Sequence, residues 1–170
     1  MNPFLLVISG AAGTGKTSLA LLLSQKLRTD LICVDTVEKW LLKNHHPFAQ
    51  ENKYPQALSF AEKILERGQS VILEGSFRFS KTRRFTEALA SEFGAHYGLV
   101  HCDCPESLAS TRLSFRRRKR PGYYKKTAEY SYSKKFGDLF EDSSSLKIDS
   151  SQPLTFCARQ ASLFLYQRFL

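Results

Sequence analysis

Short apolar runs alternate with longer amphipathic stretches along this chain, and the alternation predicts strands and helices in turn. Phe4-Leu5-Leu6-Val7-Ile8 is an unbroken apolar run of strand length, the pattern of a strand buried on both faces. Ser18 to about Arg28 follows without Gly or Pro and reads as helix. Leu31 to Val34 forms a short second strand ending at Asp35. Thr36 to Lys43 then reads as a short helix with Val37, Trp40 and Leu41 on one side, which puts Trp40 against the sheet, lining an acceptor pocket being the alternative. The polar segment His45 to Lys53, with Pro47, reads as loop. Tyr54, Ala57, Leu58, Ala61, Ile64 and Leu65 recur at helical spacing, and Gly68 sits where such a helix stops.

The second half keeps the alternation. Val71-Ile72-Leu73 is a buried strand closing on Glu74-Gly75, Ser80 to Phe93 a helix stopped by Gly94, and Tyr97 to Cys102 the next strand. Pro105 opens a helix to about Leu113, and a basic segment carries the chain to Lys126. A weak helix is expected over Glu129 to Leu139. Leu146 to Asp149 is the last strand, and Pro153 sits in the first turn of a C-terminal helix. The expected fold is α/β: a doubly wound, five-stranded parallel sheet with helices on both faces and its ligand crevice at the carboxyl ends of the strands. The 170 residues suit one such domain, spanning 1–170, with an Arg-rich lid at about 113–127.

Between the first strand and the first helix stands Gly10 to Thr17, GAAGTGKT. This is the pattern G-x-x-x-x-G-K-[ST] in the context its physics requires. Backbone N–H groups and the positive end of the helix dipole converge on one spot that suits a triphosphate. Lys16 is expected to reach the outer phosphates and the Thr17 hydroxyl to take a Mg²⁺ position. A glycine turn without ligand leaves the Lys-Thr pair unexplained.

Composition adds three constraints. Hydrophobic residues make up 42% of the chain, ordinary for a globular protein, and the apolar runs are too short to span a bilayer. The N-terminal run lacks a basic flank and flows into the glycine loop, so a core strand and a cytoplasmic address are expected rather than a signal peptide. Four cysteines, Cys33, Cys102, Cys104 and Cys157, form no C-x-x-C pair; reduced thiols fit better than zinc, with Cys33 and Cys102 as apolar filler in strands. His45, His46, His96 and His101 show no metal spacing and read as surface and strand residues. The net charge of +9 is concentrated at Arg78 to Arg84 and Arg112 to Lys126, which implies an anionic partner: nucleotide, phosphorylated substrate or nucleic acid.

Several residues are candidates for chemistry. Asp35, at the end of the second strand and near the first, is placed to face the glycine loop and take a proton from an acceptor hydroxyl, or to hold Mg²⁺ through water; a helix N-cap is the competing role. Glu74 is placed to order a Mg²⁺ water or bind the acceptor, or is a polar strand end. One of Arg78, Arg83 and Arg84 is a candidate clamp for an anionic acceptor, against a solvated basic face. Arg112, Arg116 and their basic neighbours to Arg120 suit a lid over the nucleotide, since guanidinium groups fork onto phosphate and stack on adenine; a solvated or RNA-binding stretch is the alternative. Tyr123, Tyr124, Tyr130 and Tyr132 interleave with lysines, a mixture able to stack bases or cover a lid helix.

Taken together, GAAGTGKT, Asp35, VILEGS and the Arg112/Arg116 segment resemble small phosphate-loop kinases. The nearest group is similar to the AAA-type kinases related to zeta toxins, chloramphenicol phosphotransferase and polynucleotide 5′-hydroxyl kinases, with shikimate, gluconate and adenylate kinases sharing the wider fold. The resemblance implies that Gly10, Ala12, Gly13, Thr14, Gly15, Lys16, Thr17 and Ser18 bind ATP phosphates and Mg²⁺, with Thr17 on the metal. It implies Lys16, Asp35 and Arg116 as the catalytic set, Arg112 at the nucleotide, and Asp149, Ser150 and Ser151 near the base. The family's D-x-x-R after the second strand is absent: Glu38 and Lys39 stand there. The expected activity is transfer of the ATP γ-phosphate to a hydroxyl of a small molecule. A nucleoside, nucleotide or polynucleotide kinase, or an ATP-binding regulatory module, are the alternatives.

Overall fold

The computed structural model describes residues 2–119 and 145–169. The weak helix at Glu129 to Leu139, the Tyr/Lys stretch from Tyr123 to Lys135 and most of the lid lie outside them.

Five strands form one parallel sheet in the order β2-β3-β1-β4-β5. They are β1 (Phe4–Gly10), β2 (Asp30–Cys33), β3 (Val71–Glu74), β4 (His96–Asp103) and β5 (Ser145–Asp149). Parallel pairing requires crossover connections, and helices supply them on both faces. The helices are α1 (Lys16–Leu27), α2 (Val34–Lys43), α3 (Ala49–Leu65), α4 (Ser80–Glu92), α5 (Glu106–Lys119) and α6 (Leu154–Phe169). Alternation along the strands divides the core in two. Leu5, Val7, Val71, Leu73 and Leu99 face α2, α3 and α4. Leu6, Ile8, Ile72, Val100 and Ile148 face α1 and α6. Among the described residues no helix is long and apolar enough to cross a membrane.

The expected α/β fold is present, with local departures. β3 lies between β1 and β2, so the second strand is an edge strand rather than a neighbour of the first. β2 ends at Cys33 and α2 begins at Val34, which is 1% exposed and packs into the core. Asp35 therefore stands in the first turn of a helix; the N-cap position belongs to Cys33, which makes no side-chain cap bond. Trp40 is 49% exposed and meets the Phe60 ring edge-on, 5.8 Å away, instead of packing against the sheet. α3 starts at Ala49, inside the segment expected as loop, after a left-handed turn at Phe48. It continues through Pro55 because Ala49, Ala57, Ala61 and Leu65 are buried on one face, and that burial offsets the backbone bond a proline removes. α5 runs six residues past its expected end, to Lys119.

Far from the carboxyl ends, β4 keeps Gly98 where ring atoms crowd in. A Cβ there would lie 3.0 Å from Phe169 Cζ and 3.3 Å from Phe164 Cε1. Gly98→Val overpacks this contact and is expected to cost about 1–3 kcal/mol, read as a lower urea midpoint with an unchanged slope. A midpoint equal to wild type would show that the rings yield freely.

Candidate active site

The glycine loop joins β1 to α1, and its backbone is one that side chains resist. Gly10 (φ 149°) lies against β4: a Cβ would sit 2.5 Å from the Cys102 carbonyl oxygen. Gly13 (φ 86°) lies against α5, with a Cβ position 2.6 Å from the Ala109 carbonyl oxygen. Glycine is thus required twice, once for backbone angle and once for close approach. Thr14 is buried and its Oγ1 donates to the Ala11 carbonyl at 2.9 Å, folding the loop on itself. Gly15 caps α1 with a left-handed backbone, and the first turn of α1 holds no acidic residue of its own to offset the positive helix end. Ala12 is half-buried in the loop and Ser18 is exposed at the start of α1.

Beneath the loop three polar side chains meet. Glu74, closing β3, is 3% exposed. The Thr17 hydroxyl donates to Glu74 Oε1 at 3.1 Å, and Lys16 Nζ lies 3.8 Å from the same oxygen while donating to the Ala11 carbonyl at 3.4 Å. Cys33 pairs in register with Glu74 across the sheet, and its thiol hydrogen-bonds that carboxylate. Burial first, then the Glu74 charge, pushes the Cys33 thiol up to about 12, with Asp35 adding and Lys16 opposing. Cys33 is therefore a neutral donor at the site, not the apolar filler its strand position suggests. Cys33 lies within electrostatic reach of Asp35, Glu74 and Lys16 at the carboxyl end of the sheet. Asp35 itself is exposed there, across β3 from the loop.

Arg112, on α5, ties the site together. Its Nη2 donates to the Ser150 carbonyl at 2.9 Å and its Nη1 to the Gly13 carbonyl at 3.4 Å. The guanidinium thus links the glycine loop to the turn after β5. Beside it a cavity of about 290 Å³ is lined by Gly15, Ser18, Phe115, Arg116, Gln152 and Leu154 among others. Arg112 and Arg116 both border it, and Arg116 is half-buried at its wall. A larger cavity, about 1110 Å³, opens at the opposite pole among Phe4, Leu27, Arg28, Arg159 and Tyr166. It is remote from the loop, and size alone does not make it the reactive site.

The basic trio after β3 separates into different environments. Arg83 Nη1 donates to the carbonyls of Phe77 (2.9 Å) and Arg78 (3.0 Å), stapling a turn in which buried Phe77 has a left-handed backbone, φ 39°. The Phe77 amide donates to Tyr54 Oη, which also bonds Ser76 Oγ at 2.7 Å. Arg78 lies over the Phe79 ring, 4.7 Å from its centroid, and Arg84 is exposed on α4. The staple by Arg83 carries no signature in sequence, because it depends on the strained turn.

His45 and His46 are exposed, and His96 stacks on Phe169. His101 is buried next to the loop, its Nδ1 paired with Ser9 Oγ at 3.0 Å. Burial pushes its pKa down to about 4 from 6.5; Asp103 opposes, and Lys147 and Arg83 assist.

The sheet order, the loop and the carboxylate beneath it define a P-loop protein with the fold of small kinases. Residues 5–131 match the model of an AAA domain family, and the chain belongs to that family. Among solved structures it resembles a kinase-like protein from Chloroflexus aurantiacus at 18% identity and a TM-score of 0.77, over 97% of this chain and 100% of that one. A sugar kinase from Janibacter sp. aligns at 21% identity and 0.69, over 96% and 95%. The APS kinase of Mycobacterium tuberculosis, solved with AMPPNP and APS, aligns at 15% identity and 0.68, over 97% and 98%. At these identities the likeness is one of fold. No curated protein sequence matches the chain.

His101 generates a pH prediction. Its depressed pKa means the unfolded chain binds a proton first as pH falls. The stability held by the neutral ring is full above about 6.5 and is lost as pH drops through the window down to about 4, roughly 3 kcal/mol in all. Urea midpoints measured across that window should fall for wild type and fall less for His101→Gln. Equal slopes in the two proteins would refute the assignment.

Proposed function

We propose that this protein is an ATP-dependent phosphotransferase that moves the γ-phosphoryl group to a hydroxyl of a small molecule. The observation that carries the reading is the buried Glu74 carboxylate paired to Lys16 and Thr17 beneath an anion-binding glycine loop. Thr17 and Glu74 offer hard oxygen donors, the chemistry Mg²⁺ requires, directly or through water. Bound there with the nucleotide, Mg²⁺ would neutralise charge on the outer phosphate oxygens. The residues' own tasks follow from their positions. The loop amides from Gly10 to Ser18 and Lys16 hold the phosphates and stabilise charge on the transferred group. Asp35 accepts the proton of the attacking hydroxyl; the new O–P bond forms as the bond to ADP breaks, and ADP leaves with the electron pair. Arg116 supplies positive charge beside the nucleotide.

Arg112 takes a more structural part than a phosphate ligand, since two of its N–H groups serve main-chain carbonyls. The small cavity beside Gly15 and Ser18 suits the base: its position leads away from the phosphate loop, and Leu19, Phe115 and Leu154 give it apolar walls. Within the trio after β3, Arg78 or Arg84 is the residue to meet an anionic acceptor, because Arg83 is committed to the turn. In this reading residues 1–170 work as one kinase domain with its lid at 113–127, and free thiols with ATP chemistry fit the cytoplasm.

Transfer to a nucleoside, nucleotide or polynucleotide 5′-hydroxyl is the second reading. It is favoured by Phe79 and Phe85, about half exposed at the start of α4 with Arg78 and Lys81 over their rings, since bases stack on such surfaces. An ATP-holding regulatory module is the third.

Asp35→Ala separates these. The variant should keep Mg-ATP affinity and lose transfer by about 10²–10⁴-fold in a mass-spectrometric screen of metabolites, nucleosides and RNA ends. Normal transfer by the variant removes Asp35 as base. A wild-type protein that binds ATP and labels nothing supports the regulatory module instead.

A further inference from the structure

α1 and α6 lie side by side on one face of the sheet. Each begins beyond the carboxyl end of a strand, β1 and β5, so the two run parallel and leave a valley between their outer surfaces. Leu19 and Leu23 of α1 and Ala158, Ala161 and Leu165 of α6 fill the core beneath it. The outer side of a surface helix is ordinarily polar. Here it is not. On α6, Phe156, Leu163 and Tyr166 point outward at helical spacing and are 48%, 49% and 65% exposed. Leu21 does the same on α1.

The valley opens into the cavity of about 1110 Å³ at the pole away from the loop, where Leu163 and Tyr166 face Gln25 and Arg28. Helical spacing puts Leu21 on the face of Gln25 and Arg28, and Phe156 on the face of Leu163. The apolar stripe therefore continues from the cavity along both helices, for about 15 Å on α6. The hydroxyls in the valley are turned inward: Ser24 Oγ donates to the Leu21 carbonyl at 3.0 Å and Ser162 Oγ to the Ala158 carbonyl at 2.8 Å. Apolar side chains and guanidinium groups are left to meet a partner.

Charge says what kind of partner. Neither α1 nor α6 contains an Asp or Glu. Arg28 and Arg159 both border the cavity, and among the described residues neither makes an ion pair. Asp30 is the sole carboxylate on the cavity wall. A second copy of this chain, docked by a two-fold axis, would set this cationic face against itself. A small molecule would stay largely in solvent beside walls as exposed as Tyr166, whereas small-ligand pockets bury most of their occupant. A helix with apolar anchors and acidic flanks matches the length, the shape and the charge.

We propose that the valley between α1 and α6 is a docking site for an acidic amphipathic helix of another protein. Its apolar side chains cover Leu21, Phe156, Leu163 and Tyr166, and its carboxylates reach Arg28 and Arg159. The inference stands apart from the phosphotransfer reading, because none of these residues belongs to the glycine loop or the carboxylates around it.

The test is fluorescence anisotropy of a labelled synthetic peptide titrated with the full chain. The peptide has about 20 residues, a helix of about 30 Å, with leucine at every third or fourth position and glutamate between. One control shuffles the same residues so that no apolar face forms; another replaces glutamate with lysine. Wild type should bind the first peptide saturably and both controls at least about tenfold more weakly. Leu163→Ser and Tyr166→Ala should each weaken binding about tenfold or more. Arg159→Glu should weaken the glutamate peptide and strengthen the lysine one. These positions are exposed, so the variants should keep the wild-type urea midpoint, which separates lost docking from lost folding. Equal binding of the three peptides, or binding unchanged in Leu163→Ser and Arg159→Glu, overturns the assignment. So does a wild-type dimer in sedimentation that Leu163→Ser splits, which gives the face to a second copy. Binding to phosphatidylglycerol vesicles without binding to the glutamate peptide overturns it in favour of a membrane surface.

Discussion

Everything at the carboxyl end of the sheet is organised around a buried negative charge. Glu74 gives up nearly all contact with water, a cost that only good partners offset. Lys16, Thr17 and the Cys33 thiol provide them from α1 and from the neighbouring strand. The same three contacts bind loop, helix and two strands into one arrangement, so the electrostatics of the site and the register of the sheet depend on each other. Removing one partner would leave the carboxylate under-satisfied, which is why the cluster is better regarded as a unit than as separate bonds.

The sheet explains how residues so far apart in sequence gather there. In an all-parallel arrangement every strand ends on the same side, so Gly10, Cys33, Glu74, Asp103 and Asp149 all end strands along a single edge. β3, lying between β1 and β2, carries Glu74 to the position beside the loop and moves Asp35 one strand further out.

The parts legible in the sequence were those governed by local rules. GAAGTGKT could be read because its glycines answer to backbone angle and close approach and its Lys-Thr pair stands at the start of the helix. β1 and β3 could be read because burial along their length leaves them almost wholly apolar. Departures arose where tertiary packing overruled local preference. Pro55 and the polar run before it concealed the start of α3, whose buried alanines are too small to signal a face strongly. Trp40 was misplaced because a large aromatic at helical spacing looks like core, whereas here Phe60 is its partner near the surface. The start of α2 at Val34 shifted Asp35 from strand end to helix, a matter of two residues that sequence patterns do not resolve. Arg83 and Arg112 read as surface charge or phosphate ligands, yet much of their hydrogen bonding serves main-chain carbonyls. Nothing in a string of letters marks an arginine that braces its own fold.

The brace at Arg112 has a mechanical consequence. One guanidinium grips the glycine loop and the turn after β5, two segments more than a hundred residues apart in the chain. Small displacements of either are transmitted to the other through a single planar group. The two walls against which a long ligand would lie are thereby set at a fixed span, much as a strut sets the opening of a caliper.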